Sequence, residues 1–196
     1  MLLSRRQFFV RERVAVLRLT DVYDILDPVS QEVIAVAQEE IPLISKLLRM
    51  LMKKFMLPTQ VVVREAEGAP PVLTIRKKMG FFRQTVLVFD GQEQQLGLFR
   101  SKLWSLGGGF WVMDSAGTQV AEVKGDWKGW NFKFIDSGGQ ELGTVTKKWA
   151  GIGKELFTSA DSYMIALTDG VVQTDRTAGL LLAAGLAIDT VFKEGN

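Results

Sequence analysis

Residues 176–196 read RTAGLLLAAGLAIDTVFKEGN, the most apolar stretch of the chain. Whether it crosses a bilayer or lies in the protein's own core decides the fold. The unbroken apolar run extends only from Ala178 to Ile188, roughly 16 Å of helix at about 1.5 Å per residue. A hydrocarbon core needs about 30 Å, or about 20 residues. Continuing to Phe192 admits Asp189 and still reaches only about 22 Å. Leu180, Leu181, Leu182, Leu186 and Ile188 point in several directions around the axis, so burial on one side is not enough. A helix apolar on nearly all sides belongs inside a core. Gly179, Ala183 and Ala187 form a narrow stripe that admits close-packed strands, although such a stripe also suits helix pairing in lipid. Thr174 or Asp175 can cap the start, and Lys193 complements the dipole at the end. The reading is a central helix at about 176–193.

What surrounds that helix follows from a recurring pattern upstream. YDILDPVSQEVIAVAQEE (23–40), VVVREAEGAPPVLTIRKK (61–78), TVLVFDGQEQQLGLFRSK (85–102), GFWVMDSAGTQVAEVKGD (109–126) and NFKFIDSGGQELGTVTKK (131–148) share one plan. Each is a short β-type run, an acidic or glycine-bearing turn, a second run and a charged exit, the signature of an antiparallel hairpin. Asp90, Asp114 and Asp136 recur about two dozen residues apart, a spacing typical of repeated β units. Asp27, Asp90, Asp114 and Asp136 read as turn formers, with Asp90-Gly91 and Gly138-Gly139 supplying positive φ angles. Five hairpins, an opening strand near Phe8–Val10 and SYMIAL (162–167) give about twelve strands. A sheet of that size must curl or close to hide its edges. The expected fold is mainly β, a closed antiparallel barrel of about twelve strands around a buried hydrophobic C-terminal helix, with 1–196 as one domain.

Composition narrows the chemistry. The 196 residues are 47% hydrophobic and 23% charged, the balance of a folded globular chain. A net charge of only +2 gives nucleic-acid binding no global support. Cysteine and histidine are both absent, which removes disulfides, thiolate catalysis, thiolate metal sites and the usual general base. SLGGGFW (105–111) has a glycine run without a P-loop lysine. No acid pair or nucleophile–base pair has diagnostic spacing, so an enzyme is not expected. MLLSRRQFFVRERVAV shows no apolar run of secretory type, and a cytoplasmic setting, peripheral at the inner face of the membrane, is the expectation.

One further segment departs from the β pattern. In IPLISKLLRMLMKKFMLP (41–58), Ile44, Leu47, Leu48, Leu51 and Phe55 share one helical face, while Lys46, Arg49 and Lys53 lie opposite with Lys54 at the margin. Pro42 suits a first turn and Pro58 a stop. The spacing predicts an amphipathic helical insertion at about 41–57. It suits either packing on the barrel with solvated lysines or adsorption to an anionic surface. RKK (76–78), that is Arg76, Lys77 and Lys78, forms a second basic group, which a solvated hairpin exit explains equally well. GDWKGWNF (125–132) places Trp127 and Trp130 around a glycine-bearing turn, suited to a protein contact, an interfacial seat or core packing.

GTVTKKWAGIGKELFTSADSYMIAL (143–167), followed by AGLLLAAGLAIDTVFKE, resembles the end of the phospholipid scramblase family. The matching positions are Lys147, Lys148, Trp149, Gly151, Glu155, Phe157, Thr158, Ala160, Asp161 and Asp189. The shorter hairpins resemble the related LURP-one-like proteins. The resemblance implies a Tubby C-terminal-like fold, a twelve-stranded barrel around a hydrophobic helix. It also implies either calcium-responsive lipid movement or binding of phospholipid headgroups. The family's acid-rich calcium segment reads SADSYMIALTDG here, leaving Asp161 and Asp169 as calcium candidates, too few carboxylates for a good site. The family's cysteine cluster for lipid anchoring is replaced by the basic segment 41–57. The expected function is a non-enzymatic barrel with no cofactor, binding anionic membrane surfaces or headgroups through Lys46, Arg49, Lys53, Lys54 and secondarily Arg76, Lys77 and Lys78. The alternatives are a calcium-dependent scramblase and a protein-binding adaptor.

Overall fold

A computed structural model describes residues 1–13, 20–41, 57–80, 83–102, 109–126, 129–147 and 162–192, with backbone alone from 190 onward. The helix expected at 41–57, Trp127 and the segment 148–161 lie outside the described residues apart from Ile41 and Leu57.

Twelve strands close into one antiparallel barrel in simple sequence order. They are β1 (Gln7–Glu12), β2 (Val22–Leu26), β3 (Val33–Glu40), β4 (Thr59–Arg64), β5 (Pro71–Lys77) and β6 (Thr85–Asp90). Then follow β7 (Gln95–Ser101), β8 (Gly109–Met113), β9 (Gln119–Asp126), β10 (Asn131–Asp136), β11 (Glu141–Thr146) and β12 (Ser162–Leu167). Each sequence-read hairpin is present, and β1 pairs with both β2 and β12 to close the ring, with Phe9 opposite Leu26 and Met164. Closure leaves no edge to be hidden.

The ring encloses α1 (Asp175–Phe192). Ala178 and Leu180 to Ile188, Gly185 apart, are at most 6% exposed, so the helix is wrapped on all sides as its pattern requires. Inward residues of the strands meet it: Phe8, Ile25, Val63, Ile75, Val88, Phe99, Phe110, Phe134 and Ile165 share one cluster with the helix leucines. The fit depends on glycines in both partners. A Cβ on Gly143 of β11 would stand 2.6 Å from Leu181 Cδ2 and 2.6 Å from the Ala166 carbonyl oxygen. A Cβ on Gly97 of β7 would meet Leu180 Cδ2 at 3.2 Å, and Gly179 packs against Leu73 and Leu96.

The turns follow one chemistry. Asp90, Asp114 and Asp136 each accept two backbone N–H bonds through Oδ1, from Gln92 and Gln94, Ala116 and Thr118, and Gly138 and Gln140, at 2.8–2.9 Å. The left-handed residue comes three positions after the acid: Glu93 (φ 61), Gly117 (φ 84) and Gly139 (φ 86). The strand register slips by one residue beside each of these turns, the geometry of a type I turn with a bulge. Gly91 therefore carries no positive φ, contrary to the sequence expectation. Aspartate sets the start of the turn, and the third residue after it absorbs the reversal.

Entry to α1 is tied down from the N-terminal side. Arg6 donates to the Thr168 and Val171 carbonyls at 2.7 and 3.0 Å, and Gln173 Nε2 donates to the Leu3 carbonyl at 2.9 Å. Thr174 Oγ1 accepts the Thr177 N–H at 3.0 Å, so Thr174 caps the helix.

Leu182 is fully buried, so Leu182→Ala should cost about 2–5 kcal/mol. Urea unfolding should show a lowered midpoint at unchanged slope, and a loss below about 1 kcal/mol would contradict a helix packed on all sides.

Candidate functional surface

Simple up-and-down order makes the two barrel ends chemically different. At one end lie the short turns 27–32, 65–70, 91–94, 114–118 and 137–140, together with 168–174 and the start of α1. Asp27, Glu32, Glu65, Glu67, Asp90, Glu93, Asp114, Asp136, Asp169 and Asp175 gather there, against Arg5, Arg6 and Arg176. Asp27 accepts N–H bonds from Ser30 and Val29, which with Arg5 hold its carboxyl below the usual range.

At the other end the chain leaves and re-enters through the connections 13–21, 41–58, 78–84, 102–108, 127–130 and 147–161, all but 127–130 longer than the turns opposite. Their sequences carry Arg13, Arg18, Lys46, Arg49, Lys53, Lys54, Lys78, Arg83, Lys102, Lys128, Lys147, Lys148 and Lys154, with few acids. Among the described residues here, Lys78 and Arg83 are exposed and Met79 between them is 47% exposed. Lys102 is held by Glu122 at 2.7 Å and lies 4.0 Å over the Trp111 ring. Burial opposes ionisation of Glu122, but its bonds from Lys102 and Lys124 prevail and keep its carboxyl below the ordinary value. Trp130 packs inward, 5.2 Å from the Tyr163 ring and 6.0 Å from Phe132, with Lys147 Nζ 4.5 Å over it. Core packing, one of its three expected uses, is the one observed.

The sequence-read cations do not form a single patch. Arg76 is engaged by Glu93 at 2.7 Å, by Gln60 at 2.8 Å and by the face of Phe89 at 4.6 Å. Lys77 is only 3% exposed. It continues the inward series of Leu73 and Ile75 on β5 and lies opposite Thr59, so strand alternation takes it away from the surface. Lys78 alone of the three presents an exposed side chain. Lys46, Arg49, Lys53, Lys54 and Asp161 fall outside the described residues. Asp169 is exposed in a turn completed by Gly170 at φ 82. Among the described residues no three acidic side chains gather as metal ligands.

Polar groups also line the barrel interior at the long-connection end. Thr59 Oγ1 donates to Glu39 at 2.7 Å, and the Asp21 N–H donates to the other Glu39 oxygen at 3.1 Å. Beside them the Tyr23 hydroxyl donates to Asp189 Oδ2 at 2.6 Å, with both residues buried. A carboxylate in the last turns of a helix opposes the dipole and loses hydration, so Asp189 needs such a donor. The single acid interrupting the apolar tail was a visible signal; its partner 166 residues away was not.

A match to the scramblase family covers residues 22–195. The chain belongs to the scramblase family. No curated protein and no solved structure matches it. Among the described residues of this scramblase-family barrel, no helix is long and apolar enough to cross a membrane.

Burial, and then the Asp189 carboxylate, push the Tyr23 phenol well above its ordinary value near 10. An acid whose folded pKa is raised contributes stability below the unfolded value, lost as pH climbs through the folded one. Ultraviolet titration should find the Tyr23 phenol ionising only as the barrel unfolds, and Tyr23→Phe should shrink that late step. Ionisation of both phenols at the ordinary value in folded protein would contradict the buried pair.

Proposed function

We propose that this scramblase-family barrel is a non-enzymatic module that adsorbs end-on to anionic membrane surfaces through its long-connection end. The supporting observation is the opposition of the two ends. Acidic turns at one end are repelled by anionic lipid, while the connections at the other carry an excess of lysine and arginine. Lys78 and Arg83 flank the exposed Met79 there, a combination suited to the headgroup layer. Each cation near such a surface contributes about 1 kcal/mol, so a handful acting together gives reversible adsorption.

In this reading Lys46, Arg49, Lys53 and Lys54 are the principal contacts and Lys78 and Arg83 the flanking ones. Arg76, held by Glu93 and Phe89, contributes at the margin, and buried Lys77 supports the barrel end from within. The adsorption is proposed to need no calcium. Lipid movement between leaflets requires a hydrophilic path, whereas the described barrel interior is filled by α1 and its apolar neighbours.

Co-sedimentation with neutral phosphatidylcholine liposomes and with anionic liposomes tests the proposal. Binding should be confined to anionic vesicles, should fall as salt shortens the screening length to about 8 Å and below, and should not respond to calcium. Replacing Lys46, Arg49, Lys53 and Lys54 by Gln should abolish it. Unchanged association of that variant, or equal binding to neutral vesicles, would refute the assignment.

A further inference from the structure

A concavity of about 1040 Å³ lies on the outer wall of the barrel, over β2, β3 and β4. Its floor is Val22, Val36 and Gln38, and its walls are Arg13 with Thr20 on one side and Arg64 with the turn 66–71 on the other. Arg13, Thr20 and Glu40 place one mouth of this groove at the long-connection end.

The charges along it are arranged as a dipole. Asp24, 7% exposed, accepts from Arg13 Nε at 2.8 Å and Nη2 at 2.5 Å, while Arg11 Nη2 stands 3.6 Å from its other oxygen. Two guanidiniums on one carboxylate leave surplus positive charge, and the Arg13 side chain is 45% exposed. A guanidinium has five N–H donors, so Arg13 keeps some for a second oxyanion. Across the groove Glu40 and Arg64 balance each other at 3.1 Å. Glu67 is exposed on the turn above, within electrostatic reach of Arg13. One wall is thus net positive and the other net negative.

We infer that this groove binds a phosphate ester carrying a primary amine, as in a phosphoethanolamine headgroup. The phosphate takes the Arg13 donors in charge-assisted bonds, and the ammonium donates to Glu67, with Glu40 beside it. A bare phosphate monoester leaves Glu67 facing a like charge. A quaternary ammonium has no N–H to give, and none of the described residues lining the groove is aromatic to supply the cage that such a group prefers. The ligand is either a membrane lipid or a free phosphoamine.

The test is an NMR titration of the full chain with glycerophosphoethanolamine, glycerophosphocholine and glycerol phosphate. The ethanolamine compound should perturb Arg13, Arg64 and Glu67 and bind about tenfold tighter than either competitor. Glu67→Gln, at an exposed turn, should erase that preference, and Arg13→Gln should weaken all three ligands. Equal affinities for the three ligands, or a preference that survives Glu67→Gln in folded protein, overturns the inference. Neutral vesicles with and without phosphatidylethanolamine separate the sources. Capture by the former that is lost in Glu67→Gln assigns the groove to lipid; solution binding without capture assigns it to a free phosphoamine. Failure of the titration with anionic adsorption intact overturns the groove alone, and the converse overturns only the end-on reading.

Discussion

A closed ring of twelve antiparallel strands encloses more space than its own side chains can fill, and the rest of this structure depends on what fills it. An eight-stranded barrel is about wide enough for side chains alone; a wider one needs a rod of helical diameter, about 10–12 Å. α1 is that rod. Its leucines meet Phe99, Phe110 and Phe134, while Gly97 and Gly143 in the wall, and Gly179 in the helix, are the points of closest approach. The helix hides its apolar surface and the sheet hides its edges by the same closure.

Up-and-down connectivity then sorts the charges. Every second connection is a tight turn, and a tight turn built on aspartate binds its own backbone N–H groups. Acid consequently accumulates at one end for reasons of turn chemistry. The connections at the opposite end are free of that requirement and carry the lysines and arginines. The contrast in charge between the two ends thus arises from folding constraints on one end and their absence on the other.

The barrel and its core were legible because local patterns carry them: period-two strands, Asp-initiated turns, and a tail apolar all round yet too short for lipid. The turns are legible in their acids and in the positive φ of Gly139, but at Asp90-Gly91 the reversal falls on Glu93 and not on Gly91. What depends on register across distant strands was not visible. Lys77 looked like part of a basic exit, yet alternation from Leu73 and Ile75 turns it inward. Tyr23 and Asp189, and the Arg13, Asp24 and Glu67 groove, join residues brought together only by the wrap of the sheet. The scramblase resemblance suggested lipid chemistry without placing it on any surface.

The central claim, that α1 is structural core, is tested most directly by native-state hydrogen exchange of the amides from 178 to 188. The account predicts that they exchange only through global unfolding, with the same denaturant dependence as the slowest amides of β1, β8 and β12. Exchange through a smaller opening that leaves those strands protected would mean that the helix departs from an intact barrel, and would contradict it.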